Sequence, residues 1–153
     1  MSKVHTYQAR ARWAGSTGAG YESYGRAHEV TCPPAGEGLA LSADPAFRGD
    51  PDRLNPEQLL LAAASSCQLL SYLAVAARAR IDVVAYDDEA TGVMPEDDPP
   101  VRITEITLRP TITVRGDAPE ERLRHLVGIA HRECFIANSL SIRITIEPTF
   151  RRA

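Results

Sequence analysis

NPEQLLLAAASSCQLLSYLAVAARAR, residues 55–80, is the stretch whose start signal and composition together predict one long helix. Asn55 is a favourable N-cap, Pro56 suits a first helical position where a backbone N–H has no helical partner, and Gln58 completes a capping box. No side chain from Leu59 to Ala77 is charged. We therefore expect a buried helix that is covered on nearly all sides.

Cys67 lies in the middle of this helix. A cysteine in such an apolar run is most often an ordinary core residue, so its position alone does not predict chemistry. The polar neighbours Ser65, Gln68 and Ser71 would be poorly satisfied in lipid, which argues against a membrane span.

Length and charge narrow the class of protein. A chain of 153 residues is the size of one domain, and a helix that is apolar all round needs more cover than one such domain provides, which suggests a dimer. Seventeen basic and twenty acidic residues give a net charge of −3, so no basic excess attracts nucleic acid or a membrane surface. The N-terminus shows no apolar signal region, and we expect a cytoplasmic protein.

The cysteines indicate thiol chemistry rather than a disulfide framework. Cys32, Cys67 and Cys134 are an odd number, and a reducing compartment favours free or redox-active thiols. Neither a Cys-x-x-Cys nor a His-Glu-x-x-His spacing is present. A zinc site of Cys67, Cys134, His131 and His28 is conceivable in space, but no spacing calls for it.

Strands and a second helix surround the central helix in the predicted order βββαββαβ. This order predicts a single α+β domain over residues 1–153, with an antiparallel sheet wrapped on two helices. Asp117 begins the second helix with a capping signature, and its apolar stripe ends at Cys134. In the last strand but one, Pro110 indicates an edge position or an irregularity, and the alternation slips between Ile103 and Ile106 as at a bulge. The predicted strands are 3–13, 22–32, 38–42, 81–93, 101–115 and 140–147.

Two arginines are candidates for a role beside the thiol. Arg26 shares the apolar face of the second predicted strand, where it is either an ion-paired cation at the sheet rim or a cation held for an anion. Arg48 lies in the turn-rich loop 43–54 shortly before the helix, where it is either a solvated surface charge or a residue that folds over the thiol.

Two motifs resemble the signatures of the OsmC/Ohr family, the osmotically inducible proteins and organic hydroperoxide reductases. They are NPEQLLLAAASSC, with Glu57 ten positions before Cys67, and AHRECFIANSL, with Cys134 followed by Asn138. Length and element order agree with the family over essentially the whole chain. The resemblance implies an intertwined homodimer, in which two sheets enclose the paired central helices, and thiol peroxidase activity without metal or flavin.

The same resemblance implies roles for the site residues. Cys67 would be the peroxidatic nucleophile, Cys134 the resolving thiol that traps its sulfenic acid as a disulfide, and Glu57 the residue that orients an arginine. A cation is needed because burial raises the pKa of a thiol, whereas only the thiolate attacks an O–O bond effectively. An arginine also stabilises the leaving alkoxide.

Family members place this arginine either on an upstream strand, as Arg26 would be, or in the loop nearer the helix, as Arg48 would be. We favour Arg26 for this role, because its neighbours in the predicted strand would fix its position. Glu57 and Cys67 are about 15 Å apart along one helix, so we expect the second subunit to supply the missing charged groups. Cys32 matches no family position and is interpreted as incidental.

The chain departs from the better-known reductases in the second motif, where Cys134-Phe135-Ile136 replaces Cys-Pro-Tyr. The resemblance implies a dithiol reductant of the lipoyl type. Because two residues of the motif are replaced, the pocket and the reductant need not be those of the better-known reductases. The leading hypothesis is a peroxidase for organic hydroperoxides in oxidative stress. A non-catalytic dimeric protein that binds an apolar small molecule on the same scaffold, and a stress-related structural dimer, are the alternatives.

Overall fold

Three short strands pair at the start of the chain, in a computed structural model that describes residues 2–153. They are β1 (Arg10–Arg12), β2 (His28–Thr31) and β3 (Gly38–Leu41), and they form an antiparallel sheet in the order β1-β2-β3. The chain divides into two units, one ending at Leu59 and one spanning Leu60–Ala153, and this sheet belongs to the first. Our prediction that residues 1–153 form one domain stays a prediction.

The first two strands are shorter than predicted. β2 pairs with β3 only from His28 opposite Leu41 to Thr31 opposite Gly38, because β3 is four residues long and a strand extends only where a partner satisfies its backbone. Arg26 consequently precedes β2, and the prediction that it lies within a strand was wrong.

The loop between β3 and the long helix is held by its own hydrogen bonds. The Ser42 hydroxyl accepts the Asp50 N–H at 3.0 Å, and the Asp44 carboxylate caps a 3₁₀ turn (Pro45–Phe47) by accepting the Ala46 N–H at 2.8 Å. Arg48 follows the turn in the left-handed region, with φ 65°. A Cβ at Gly49 would lie 1.6 Å from the Ala43 carbonyl oxygen, so only glycine fits this close approach. The loop that carries Arg48 therefore has a defined backbone path.

The long helix, α1 (Pro56–Arg78), begins where its capping signals predicted. The Gln58 N–H donates to the Asn55 side-chain oxygen at 2.8 Å, and the Asn55 N–H donates to the Gln58 side chain at 3.0 Å, which confirms the capping box. By length and composition alone α1 is capable of crossing a membrane, a property that core helices share.

One face of α1 is not covered within the chain. The buried residues of the helix are Ala64, Gln68, Tyr72, Val75 and Ala76. Leu70 is 62% exposed and Leu73 is 38% exposed, so one chain leaves part of the helix uncovered, and cover on nearly all sides by a second copy stays a prediction.

Mixed sheets follow α1 in the second unit. One sheet has the order β4-β7-β9 and another the order β5-β6-β8, and in both the last pair is parallel. The α+β class is confirmed, and the predicted antiparallel pairing holds for four of the six strand pairs in residues 2–153, while the other two are parallel. The strands are β4 (Asp82–Asp88), β5 (Thr91–Val93), β6 (Glu105–Leu108), β7 (Pro110–Arg115), β8 (Arg143–Ile146) and β9 (Thr149–Arg152).

Each of the two long strands predicted after α1 is in fact two strands. β6 and β7 separate at Arg109, whose backbone N–H donates to the Asp88 carboxylate at 2.7 Å. Pro110 is the first residue of β7, the middle strand of its sheet, so of the two predicted alternatives the edge position was wrong and the irregularity, here the strand break at Arg109, is confirmed. A strand's first residue tolerates a missing N–H. The register shift lies between Val83 and Ala85 in β4, not between Ile103 and Ile106.

Two further helices precede β8: α2 (Glu120–Glu133) and α3 (Phe135–Ser139). The N-cap of α2 is Pro119, without a side-chain cap, and not Asp117 as predicted. Cys134 lies between α2 and α3 in an extended conformation, so α2 ends one residue earlier than its apolar stripe indicated. The core of this unit joins α1, α2 and β7 through Tyr72, Val75, Ala76, Ile112, Val114, Leu123, Leu126, Val127 and Ala130.

Candidate active site

Cys67 and Cys134 meet in the second unit, although 67 positions of sequence separate them. Cys67 comes from the middle of α1 and is half-buried, whereas Cys134 lies between α2 and α3 and is 1% exposed. Their side chains are hydrogen-bonded to each other, and this bond lowers the pKa of Cys67 while it raises that of Cys134. The Cys134 thiol is therefore the donor and the Cys67 sulfur the acceptor.

Hydrogen-bond donors surround the Cys67 sulfur. Burial raises the pKa of Cys67, but the Cys134 thiol, the backbone N–H groups of Ile136 and Phe135, and the Ser71 hydroxyl outweigh burial and lower it below its ordinary value. Phe135 and Ile136 open α3, where backbone N–H groups have no helical partner and are free to point at an anion. Cys67 is thus the more acidic of the two thiols.

Cys134 is in the opposite situation. Burial and the hydrogen bond to Cys67 together raise its pKa to about 11, although its sulfur accepts the Ala137 N–H at 3.5 Å. Of the two sulfurs, Cys67 therefore ionises more readily and Cys134 stays protonated to higher pH. This asymmetry suits a nucleophile and a reserve thiol.

Polar contacts anchor the helix on either side of Cys67. The Ser65 hydroxyl donates to the Asp88 carboxylate at the end of β4, and the Gln68 amide donates to the Val127 carbonyl of α2 at 3.4 Å. These contacts tie α1 to β4 and to α2, the helix that leads to Cys134. They fix the position of Cys67 relative to the second thiol.

Arg26 and Glu57, both in the first unit, line one cleft of about 360 Å³. Arg26 donates to the Tyr21 carbonyl at 2.6 Å and to the Tyr24 carbonyl, and its guanidinium lies 3.8 Å from the centroid of the Tyr24 ring. Among residues 2–153 no ion pair joins Arg26 to Glu57. Other residues that line the cleft are Trp13, His28, Ser42, Asp44, Phe47 and Pro56.

Arg48 does not line this cleft and pairs instead with Glu22, and both side chains are largely exposed. The two candidate arginines therefore differ in surroundings: aromatic rings and carbonyls hold Arg26, and a carboxylate holds Arg48. Cys32 is exposed. Across residues 2–153, no group of three or more His, Cys, Asp or Glu side chains is arranged to hold a metal ion.

Sequence reasoning missed the donors that the backbone supplies. We expected a cation to lower the pKa of Cys67, and the contributions found come from Cys134, from Ser71 and from the amides of Phe135 and Ile136. Ser71 was detectable, since it lies one helical turn after Cys67 on the same face. The Phe135 amide was detectable from the departure in the second motif, because a proline there has no N–H.

Comparison with known proteins agrees with the motifs. The OsmC-like protein family matches residues 49–149. An OsmC-like protein of unknown function from Vibrio cholerae is 27% identical, with a TM-score of 0.86 over 95% of this chain and 99% of that one. No curated protein matches the chain in sequence.

Two less similar solved structures share the fold. An organic hydroperoxide resistance protein from Legionella pneumophila is 17% identical, with a TM-score of 0.70 over 97% of this chain and 98% of that one. The organic hydroperoxide resistance protein of Bacillus subtilis is 20% identical, with a TM-score of 0.62 over 96% and 98%. Because the family match covers more than half of the residues and the likeness of fold extends over nearly all of them, this chain belongs to the OsmC-like protein family.

Proposed function

We propose that this protein is a thiol-dependent peroxidase that reduces organic hydroperoxides through a Cys67 sulfenic acid resolved by Cys134. The observation that carries the proposal is the hydrogen-bonded pair of sulfurs in which Cys67 has the lowered pKa. Two members of the same fold are named organic hydroperoxide resistance proteins, which supports the choice of substrate class.

The first step is attack of the Cys67 thiolate on an oxygen of the hydroperoxide. An S–O bond forms, the O–O bond breaks, and the alkoxide takes a proton and leaves as the alcohol. The donors at Cys67 lower its pKa and so favour the thiolate that this step needs.

The second step joins the two sulfurs. Cys134 attacks the sulfenic sulfur of Cys67, an S–S bond forms, the S–O bond breaks, and the oxygen leaves as water. The two thiols have then supplied the two electrons that reduced the peroxide. An external dithiol, for which we propose the lipoyl type, then reduces the disulfide by thiol–disulfide exchange and restores both thiols.

We assign the cation of the reaction to Arg26, oriented by Glu57. Both residues line one cleft, whereas Arg48 is already paired with Glu22. A guanidinium stays protonated at every relevant pH and stabilises the alkoxide as it leaves. The metal-free chemistry and the free thiols fit the cytoplasm, where we propose that the protein acts.

We also propose that the protein is a homodimer whose second copy covers the exposed face of α1. Leu70 and Leu73 on that face, and Phe135 beside the thiol pair, are exposed in one chain. The apolar side chain of Phe135 beside the sulfurs would favour organic hydroperoxides over hydrogen peroxide, since it contacts the organic group and gives a small polar peroxide no such gain.

The alternative is a non-catalytic protein that binds an apolar small molecule. The cleft beside Arg26 favours it, because aromatic rings of Trp13, Tyr24 and Phe47 line about 360 Å³ there. A protein that only binds a small molecule does not need a second thiol hydrogen-bonded to the first. The two hypotheses therefore differ in what a peroxide does to the cysteines.

Thiol counting by mass separates them. In a Cys32→Ser background, the reduced protein is treated with one equivalent of cumene hydroperoxide and then alkylated. We expect the parent to lose both remaining thiols as a Cys67–Cys134 disulfide and the Cys134→Ser variant to carry a sulfenic acid that dimedone traps at Cys67. If both proteins keep all their thiols, the peroxidase proposal is rejected and the binding protein is favoured.

A further inference from the structure

Two aromatic rings lie against the guanidinium of Arg26. This residue precedes β2, so the backbone pairing of a sheet does not fix its position. Its guanidinium carbon lies 3.8 Å from the centroid of the Tyr24 ring and 4.7 Å from that of the Tyr21 ring. At such distances the negative face of a ring attracts a cation. The rings therefore help to hold this side chain where strand pairing does not.

Backbone carbonyls hold the same guanidinium through its N–H groups. Arg26 donates to the Tyr21 carbonyl at 2.6 Å and to the Tyr24 carbonyl. A guanidinium has more N–H donors than these two carbonyls use, so donors remain for a carboxylate and for an anion. Tyr21 and Tyr24 thus each hold Arg26 by a ring and by a carbonyl.

The Tyr24 ring is itself fixed by neighbouring rings. It lies nearly perpendicular to the Trp13 ring, at a centroid distance of 6.2 Å, and to the Tyr21 ring, at 6.1 Å. Such edge-to-face contacts stabilise the arrangement beyond the area that they bury. The Trp13 indole N–H also donates at 2.8 Å to the carbonyl of Gly25, which directly precedes Arg26. Trp13, Tyr21 and Tyr24 form an aromatic clamp with Tyr24 at its centre.

The aromatic clamp borders the cleft that Glu57 also lines. Trp13, Tyr24 and Arg26 contribute to the walls of the same 360 Å³. Ordering a long, flexible side chain at the moment of reaction costs conformational entropy, and an arginine that is already ordered avoids that cost. A guanidinium on a loop therefore needs a device of this kind if it is to stabilise a charge that develops in the transition state.

We propose that Tyr24 is a positioning residue for the peroxide step, in which its ring holds the Arg26 guanidinium in the orientation that stabilises the departing alkoxide. The inference rests on the proposed peroxidase function and on the assignment of its cation to Arg26. Tyr24 acts only through Arg26 and exchanges neither a proton nor an electron with the substrate. The competing explanation is that the aromatic clamp serves only the stability of the connection between β1 and β2.

The experiment removes or keeps the ring of Tyr24, in the Cys32→Ser background. Tyr24→Leu removes the ring face and Tyr24→Phe keeps it, and neither change removes the backbone carbonyl that accepts from Arg26. Unfolding free energies are measured first. Stopped-flow assays then give the rate of cumene hydroperoxide consumption, and mass spectrometry gives the rate of Cys67 alkylation by iodoacetamide. Tyr24→Leu is also combined with Arg26→Ala.

We expect Tyr24→Leu to consume the peroxide about tenfold more slowly than the parent and Tyr24→Phe to consume it at nearly the parent rate. Alkylation of Cys67 should be unchanged in both variants, because iodide leaves in that reaction and no alkoxide forms. In the Arg26→Ala background Tyr24→Leu should cause no further loss, since a residue that acts through Arg26 then has nothing to position.

Trp13→Phe is the second variant if Tyr24→Leu does not fold, because it keeps a ring beside Tyr24 and removes only the N–H that binds the Gly25 carbonyl. It should slow peroxide consumption several-fold, and again only when Arg26 is present.

Three results would overturn the inference while the peroxidase proposal stands. They are a Tyr24→Leu rate equal to or above that of the parent, an equal loss with and without Arg26, and an equal slowing of peroxide consumption and of Cys67 alkylation. Full activity in Arg26→Ala would refute the assignment of the cation and this inference with it. A parent that consumes no peroxide would refute the peroxidase proposal itself.

Discussion

At the scale of single residues, Cys67 owes its acidity to neighbours that one substitution can remove. Cys134→Ala deletes the thiol donor to the Cys67 sulfur, so the pKa of Cys67 should rise. Below that pKa a smaller fraction of Cys67 is then ionised, and its alkylation by iodoacetamide near pH 7 should slow by about tenfold for the loss of one charge-assisted hydrogen bond. The difference should vanish at high pH, where both proteins are fully ionised.

The measurement is the pH profile of Cys67 alkylation in the Cys32→Ser background, followed by mass. Ser66→Ala is the matched control, because Ser66 is an exposed neighbour of Cys67 that contributes no donor to its sulfur. A Cys134→Ala profile that coincides with that of the parent would show that the second thiol does not set the acidity of the first.

The two arginines make a second prediction at this scale. Arg26→Ala should lower the rate of peroxide consumption by about 100-fold, the loss expected for one preorganised electrostatic partner of the transition state. Arg48→Ala should lose much less, since Arg48 is paired with Glu22 at an exposed site. Stopped-flow assays with cumene hydroperoxide measure both variants. Full activity in both would remove the cation from the mechanism and leave the donors at Cys67 to account for its reactivity.

At the scale of elements, the start of α1 depends on Asn55, which is 4% exposed and exchanges two hydrogen bonds with Gln58. Asn55→Ala should lower the free energy of unfolding by about 1–2 kcal/mol, the cost of a lost N-cap. Urea unfolding monitored by circular dichroism measures it. Ser66→Ala, at an exposed position within the same helix, should be neutral or slightly stabilising, because alanine is the better helix former. An equal response of the two variants would mean that the cap adds nothing to stability.

Helices could be predicted from the sequence better than strands, because helix signals lie in neighbouring residues whereas strand pairing depends on residues far apart in the sequence. The capping box of α1 is a local exchange between Asn55 and Gln58, and the buried stripe of α2 is a local periodicity, so both are written in neighbouring residues. The extent of β2 depends on how far β3 runs, and the break at Arg109 depends on Asp88, 21 positions away. Alternation shows that a strand is favourable but not where its partner ends.

The candidate site divides in the same way. Cys67 and Cys134 could be chosen from their motifs, and the structure brings them together. The donors at Phe135 and Ile136 are backbone groups, which every residue except proline has; the replacement of the motif's proline by Phe135 was therefore the one sign of them in the sequence.

At the scale of the whole molecule, the exposed face of α1 predicts an assembly. Leu70 is 62% exposed and Leu73 38% exposed on a helix without a charged side chain between Leu59 and Ala77, and contiguous apolar surface of this kind marks an interface. In a symmetric dimer the same face meets its own copy, so one substitution acts twice. Leu70→Glu would then bury two like charges near each other. We expect the free-energy cost of burying them to exceed the stabilisation that an interface of ordinary size provides.

We therefore expect sedimentation equilibrium at micromolar concentration to give twice the chain mass for the parent and the mass of one chain, or an unfolded chain, for Leu70→Glu. Val101→Glu is the control, since Val101 is 48% exposed but lies outside α1. It should leave the dimer intact, which separates the effect of position from that of an added charge. A parent that sediments as a folded monomer and keeps its peroxide activity would show that one chain holds every group the chemistry needs. The face of α1 would then have to be explained as a surface for something other than a second copy.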